Sequence, residues 1–235
     1  LRSIDKSNRC RYVMTVDADL SGILSDPRRY AVENTARGAS AIIRNCTVEY
    51  NRARSLLIST PGDVLIENCR FSSMMAGIRI CGDANYWFES GNTRNVVIRN
   101  NSFTDLGIGG REPQAILQID PIIPKDARTN DFFYHDRIVF ENNIVSTFDA
   151  QVIYALSVKS LEIKNNKFID TGTYAPLFPQ LSVIDVQFCG DVEIVENDFS
   201  QWKKDATLSI HNCVEVVNDS DVEVVDSPNP FFFQS

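Results

Sequence analysis

Apolar residues alternate with polar ones through much of the chain, and they do so in a repeated phrase. Six segments share it: Ala41-Ile42-Ile43-Arg44-Asn45-Cys46-Thr47-Val48, Val64-Leu65-Ile66-Glu67-Asn68-Cys69-Arg70-Phe71, Val96-Val97-Ile98-Arg99-Asn100-Asn101-Ser102-Phe103, Ile138-Val139-Phe140-Glu141-Asn142-Asn143-Ile144-Val145, Leu161-Glu162-Ile163-Lys164-Asn165-Asn166-Lys167-Phe168 and Val192-Glu193-Ile194-Val195-Glu196-Asn197-Asp198-Phe199. A period of two is strand periodicity. The Asn pair marks a bend, because Asn tolerates the left-handed backbone that a tight turn demands. Strand, bend and strand, repeated, predicts an all-β solenoid: a right-handed parallel β-helix, its hand following the general preference of parallel crossovers. Asn side chains stacked in successive coils form a hydrogen-bonded ladder in such a fold. Cys46 stacks on Cys69, about 4.8 Å away. A packed thiol pair is the expectation there, although the spacing also accommodates a disulfide.

The spacing of the motifs locates the insertions. Successive first positions of the Asn pair are 23, 32, 42, 23 and 31 residues apart. A bare coil is thus 23 residues, and three coils carry extra loops of 9, 19 and 8. Each coil has a further apolar segment: 55–59, 77–81, 115–119, 151–156 and 181–188. Two neighbouring coils follow it with long excursions, over 81–92 and 120–136, and another, over 105–113, leaves at a different corner. Long loops in a compact domain are usually functional, and loops from adjacent rungs wall a cleft. The reading is of a single domain over 1–235, with clear coils over about 40–200. Residues 1–40 and 200–235 do not keep the period. No basic segment followed by an apolar run opens the chain, and Cys10–Val16 reads like a strand inside an element, as in a piece of a longer protein. Phe231-Phe232-Phe233 is expected to pack over a coil end or against further sequence.

Composition removes several classes of function. With 23 basic and 31 acidic residues the net charge is −8, the wrong sign for a phosphate-backbone binder, so nucleic acid is not an expected partner. No apolar run is long enough to span a membrane as a helix. The six cysteines form no C-x-x-C and there are two histidines, so no metal site is expected. His135, beside Asp136, reads as a structural histidine. There is no G-x-S-x-G, Walker loop or dinucleotide fingerprint.

The loops carry the chemistry. Loop 81–92 holds Asp83 and Glu89 together with Tyr86 and Trp87. Carboxylates beside aromatics suit carbohydrate: the acids exchange protons and the rings stack on sugar faces. Glu112, Gln114 and Asp120 lie in the next coil. Carboxylates one or two rungs apart reach either separation used by glycosidases, about 5 Å for retention or about 6.5–9.5 Å for inversion. Asp83 and Asp120 are also turn residues, beside Gly82 and Pro121. Arg52 and Arg54 follow a strand and are candidate substrate contacts, with solvated arginines as the plainer reading. A calcium-assisted lyase could draw acids from Asp63, Asp83 and Asp120, but no lysine in loop 81–92 is available as its proton acceptor.

Several strings are specific enough to compare with a family. Asn51-Arg52-Ala53-Arg54-Ser55-Leu56-Leu57, Val64-Leu65-Ile66-Glu67-Asn68, Gly82-Asp83-Ala84-Asn85-Tyr86-Trp87-Phe88-Glu89-Ser90-Gly91 and Val97-Ile98-Arg99-Asn100-Asn101-Ser102-Phe103 resemble glycoside hydrolase family 110, and the likeness extends over most of 40–200. The resemblance implies the catalytic β-helix of an exo-acting α-galactosidase that removes terminal α-1,3-linked galactose by inversion, without a metal or other cofactor. Asp83 leads the catalytic candidates, with Glu89 and Asp120 as partners and Glu112 behind them. Tyr86, Trp87, Arg52, Arg54, Glu112 and Gln114 are the candidate substrate contacts. Three positions depart from the family pattern: Gly82 in place of an acid, Gln114 in place of a glutamate and Ser55 in place of a glycine. The glycan substrate implies an extracytoplasmic location, and a homodimer fits a protein of this kind. The alternative is a glycan-binding or structural β-helix without catalysis.

Overall fold

The computed structural model describes residues 3–6, 12–21, 32–82, 91–109, 112–149, 151–203 and 206–225. The chain divides into two compact units, Leu1–Val32 and Glu33–Ser235. In the first, Ser3–Lys6 pairs antiparallel with Tyr12–Thr15. The segment read as a strand near Cys10–Val16 is thus one arm of a hairpin.

The second unit is a right-handed parallel β-helix of three stacked sheets. A coil takes one strand from each. In the first sheet lie Ala41–Arg44, Asp63–Glu67, Asn95–Arg99, His135–Glu141, Val158–Lys164, Asp191–Val195 and Glu215–Asn218. The second sheet holds Thr47–Asn51, Arg70–Ser73, Ser102–Thr104, Ile144–Thr147, Lys167–Asp170 and Asp198–Gln201. The third holds Leu56–Ile58, Ile78–Ile80, Leu117–Ile119, Ile153–Leu156, Ile184–Gln187, Thr207–His211 and Glu223–Val225. The stack therefore runs on past residue 200. The repeat is hard to read there because Asn218, paired with Ile194, takes the place of an apolar residue, and the acceptor for the Glu196 N–H is Asp219.

Alternation explains the core. In the first sheet Ile66, Ile98, Phe140, Ile163 and Ile194 are in register and fully buried. Phe71 and Phe103 stack in the second sheet, 5.1 Å between ring centres. Each such side chain contributes about 1.5–3 kcal/mol on burial, and every coil repeats the same contribution.

The Asn pair has two separate jobs. Its first residue takes the left-handed conformation at each bend, with φ between 53° and 56° at Asn45, Asn68, Asn100, Asn142 and Asn165. Its second residue points inward. Asn101 Nδ2 donates to Asn143 Oδ1 (3.1 Å), Asn143 Nδ2 to Asn166 Oδ1 (3.1 Å) and Asn166 Nδ2 to Asn197 Oδ1 (3.0 Å). The expected ladder is present, and each Oδ1 also accepts the backbone N–H of the preceding rung's asparagine. Cys69 and Cys46 extend it as free thiols, with the Cys46 N–H donating to Cys69 Sγ (3.4 Å).

Candidate active site on the third sheet

The third sheet differs from the other two. Its outward face is polar and yet buried. The outward column reads Leu57, Arg79, Gln118, Tyr154, Asp185 and Ser209, one residue per rung. Gln118, Asp185 and Ser209 are fully buried, and Tyr154 is 2% exposed. Two residues further along the strands, Leu156, Gln187 and His211 form a second outward column. Asp120 extends its own strand in the same way, with its N–H bonded to Ile80 O. Apolar residues in these strands fill the solenoid interior, so their polar neighbours must point out, beneath whatever loops cover them.

Asp120 is clamped. Arg79 Nε donates to Oδ1 and Arg79 Nη2 to Oδ2, both at 2.8 Å, and Gln118 Nε2 donates to Oδ2 at 2.9 Å. That occupies Oδ2 and leaves one lone pair open on Oδ1. Burial raises the pKa of Asp120, while Arg79, Gln118 and the nearby charge of Arg54 oppose the rise. The Arg79 side chain keeps 20% of its surface in solvent, so the face is open at this rung.

Asp185 is set up differently. Its partners are an amide and a hydroxyl: Gln187 Nε2 donates to Oδ1 at 3.1 Å, and Ser209 hydrogen-bonds its carboxylate. Burial pushes its pKa up to about 7, with Gln187, Ser209 and the charge of His211 holding it from rising further. This carboxyl therefore keeps its proton to much higher pH than an ordinary aspartate. Burial, reinforced by the charge of Asp185, also holds the Tyr154 phenol well above its usual range. Asp120 and Asp185 belong to coils two rungs apart, about 9.5 Å along the axis.

The sequence-derived candidates distribute as follows. Asp83, Tyr86, Trp87 and Glu89 lie outside the described residues. Their loop leaves from Cys81-Gly82, whose strand pairs with that of Asp120. Gly82 has a steric reason: a Cβ there would lie 2.0 Å from Tyr134 Oη. Asp120 and Arg54 come together electrostatically. Arg52 is exposed at the bend before the third sheet. Glu112 is exposed at the corner between the second and third sheets. Gln114 lies at that corner too, where its Nε2 donates to Pro113 O (3.0 Å). It lines a cavity of about 10 Å3 with Thr147, Asp149 and Gln151. Arg79, Gln118, Tyr154, Asp185 and Gln187 were not among the candidates. Their one signal was the placement of polar residues between the apolar ones of third-sheet strands, as in Ile184-Asp185-Val186-Gln187. His135 is structural, as read: it is fully buried, and its Nδ1 accepts the Thr93 N–H (3.1 Å). Among the described residues, no three His, Cys, Asp or Glu side chains are grouped to hold a metal ion. No helix among them is long and apolar enough to cross a membrane.

Three stacked parallel sheets define the class, and sequence comparison agrees. Residues 31–227 match the family model described as "Right handed beta helix region", and the chain belongs to that family. More particular likenesses follow. An α-1,3-galactosidase B of Bacteroides thetaiotaomicron is 36% identical over 212 residues, covering 86% of this chain and 32% of the relative. An α-1,3-galactosidase B of Akkermansia muciniphila is 38% identical over 166 residues, covering 70% of this chain and 20% of the relative. An α-1,3-galactosidase A of Bacteroides fragilis is 35% identical over 147 residues, covering 61% and 24%. The chain thus spans about a third or less of the length of these relatives. They bear out the likeness to glycoside hydrolase family 110.

Proposed function

We propose that this chain is the glycosidase part of an exo-acting α-galactosidase that removes terminal α-1,3-linked galactose with inversion. One observation carries the reading: the carboxyl of Asp185 is fully buried on an outward strand face beside an amide and a hydroxyl, and that burial pushes its pKa up to about 7. Such a group suits a general acid that protonates the glycosidic oxygen as the C–O bond breaks. Asp120, paired with Arg79, is the base. Its open Oδ1 lone pair takes a proton from the water that attacks the anomeric carbon from the opposite face. The two residues lie two rungs and two strand positions apart, on the wide side of the carboxylate separations that glycosidases use, and inversion needs the wider gap because a water must fit beside the sugar. Asp83 and Glu89 sit on the loop that leaves the neighbouring rung, and they are the carboxylates to test beside Asp120. A glycan substrate suits an enzyme that works outside the cytoplasm.

The test is proton NMR of the chain with an α-1,3-linked galactobioside. Release of β-galactose before mutarotation is expected, with loss of turnover in Asp185→Asn. α-Galactose as first product would replace inversion by retention. Binding without turnover would instead establish a glycan-binding β-helix.

A further inference from the structure

Two buried polar atoms, one on the third sheet and one on the loop that leaves it, meet no hydrogen-bond partner among the described residues. Gln118 is fully buried; its Nε2 is committed to Asp120, and its Oε1 meets no hydrogen-bond partner among the described residues. Arg128, on the long loop that follows Asp120, has a buried Nε with no partner among the described residues. The charge of Arg128 acts on Tyr154, and Tyr154 is in register with Gln118 on the adjacent rung. An unused acceptor on the sheet and an unused donor on the loop that leaves it therefore both lie in the neighbourhood of Tyr154. A buried group left unpaired costs about 1–3 kcal/mol, so each is poised for a ligand atom.

The chemistry of the pair narrows the ligand. A sulfate or carboxylate would satisfy Arg128 but brings no hydrogen for Gln118 Oε1, and these anions and phosphate alike would face the Asp120 carboxylate. A hydroxyl group both donates and accepts. We propose that Gln118 Oε1 and Arg128 Nε bind ring hydroxyls of the glycosyl unit, Gln118 accepting from one O–H and Arg128 donating to a hydroxyl oxygen. The two residues then set which hexose is admitted. This rests on the glycosidase reading above and adds a recognition site to it.

Deoxygenation tests it. Binding of methyl α-D-galactopyranoside and its 2-, 3-, 4- and 6-deoxy derivatives is measured by NMR titration. For the unaltered chain, removing at least one hydroxyl weakens binding about tenfold or more, because a buried partner is stranded. In Arg128→Lys, which keeps the charge and loses Nε, that penalty falls below about threefold at one hydroxyl and persists at the others. Gln118→Met does the same at its own hydroxyl. A purely structural role weakens all derivatives alike, so unchanged ratios in both variants overturn the proposal. Methyl α-glucoside and methyl α-mannoside separate the two readings. If one of them binds in place of the galactoside with ratios that depend on Arg128, galactose is the wrong sugar and the recognition site stands. If no methyl hexoside binds the unaltered chain, the recognition site is overturned.

Discussion

Arg79 and Asp120 stand on neighbouring rungs and meet through two parallel hydrogen bonds of 2.8 Å, with the carboxylate 5% exposed. The planar guanidinium matches both carboxylate oxygens at once, which an ammonium cannot do. The pair fixes where the Asp120 lone pairs point.

Breaking the pair should cost more than losing both members. Arg79→Met leaves a buried carboxylate alone and is expected to lower stability by about 3–5 kcal/mol. The double variant Arg79→Met, Asp120→Asn should recover much of that loss while remaining inactive. Urea unfolding of the three proteins at pH 7 checks it. A double variant no more stable than Arg79→Met would show that the guanidinium acts by packing alone.

Asp185 should carry a stability cost. Its folded pKa of about 7 exceeds the ordinary aspartate value of 3.8, so the folded chain holds this proton more tightly than the unfolded one. Stability from this group is full below about pH 4, falls as pH rises through 7 and is level above that. Asp185→Asn abolishes the loss. At pH 8 it is expected to stabilise the protein by on the order of 2–4 kcal/mol while removing activity. A variant that is both inactive and less stable at pH 8 would contradict this.

His135 works in the opposite direction. Burial lowers its pKa from 6.5 to about 3. Here the unfolded chain binds the proton more tightly, so stability is full above about pH 6.5 and drains away as pH falls toward 3. Between pH 4 and 6.5 the slopes of Asp185 and His135 cancel. Asp185→Asn should therefore decline more steeply on acidification over that interval than the unaltered chain does. Unfolding midpoints at pH 6.5, 5 and 4 for both proteins measure it.

Asn143 sits in the middle of the ladder, where its amide donates to Ile98 O and Asn166 Oδ1 and accepts from the backbone and side chain of Asn101. Asn143→Leu strands these buried partners at once. A loss of about 3–5 kcal/mol is expected, read by thermal or urea unfolding. A loss below about 1 kcal/mol would mean that neighbouring rungs close the gap.

The solenoid was legible because its demands are local. An Asn at Asn45 or Asn142 announces a left-handed bend, and the apolar residues beside it announce which way the strand faces. The coils beyond residue 200 were harder to see because Asn218 breaks the apolar pattern without breaking the pairing. The site was only half legible. Asp120 stood out beside a long loop. Asp185 did not, because an acid between Ile184 and Val186 reads as an ordinary solvent-facing strand residue. Its burial is a property of the folded stack and not of its own strand. The same holds for Arg79, whose partner Asp120 is 41 residues distant.

The rung spacing gives this architecture a discrete scale. Asp120 and Asp185 are separated by the single bare coil that carries Tyr154. Excising that coil would shorten their offset along the axis by one increment of about 4.8 Å. A stacked scaffold of this kind can alter the geometry of its chemistry by gaining or losing a whole turn, with every neighbouring contact preserved.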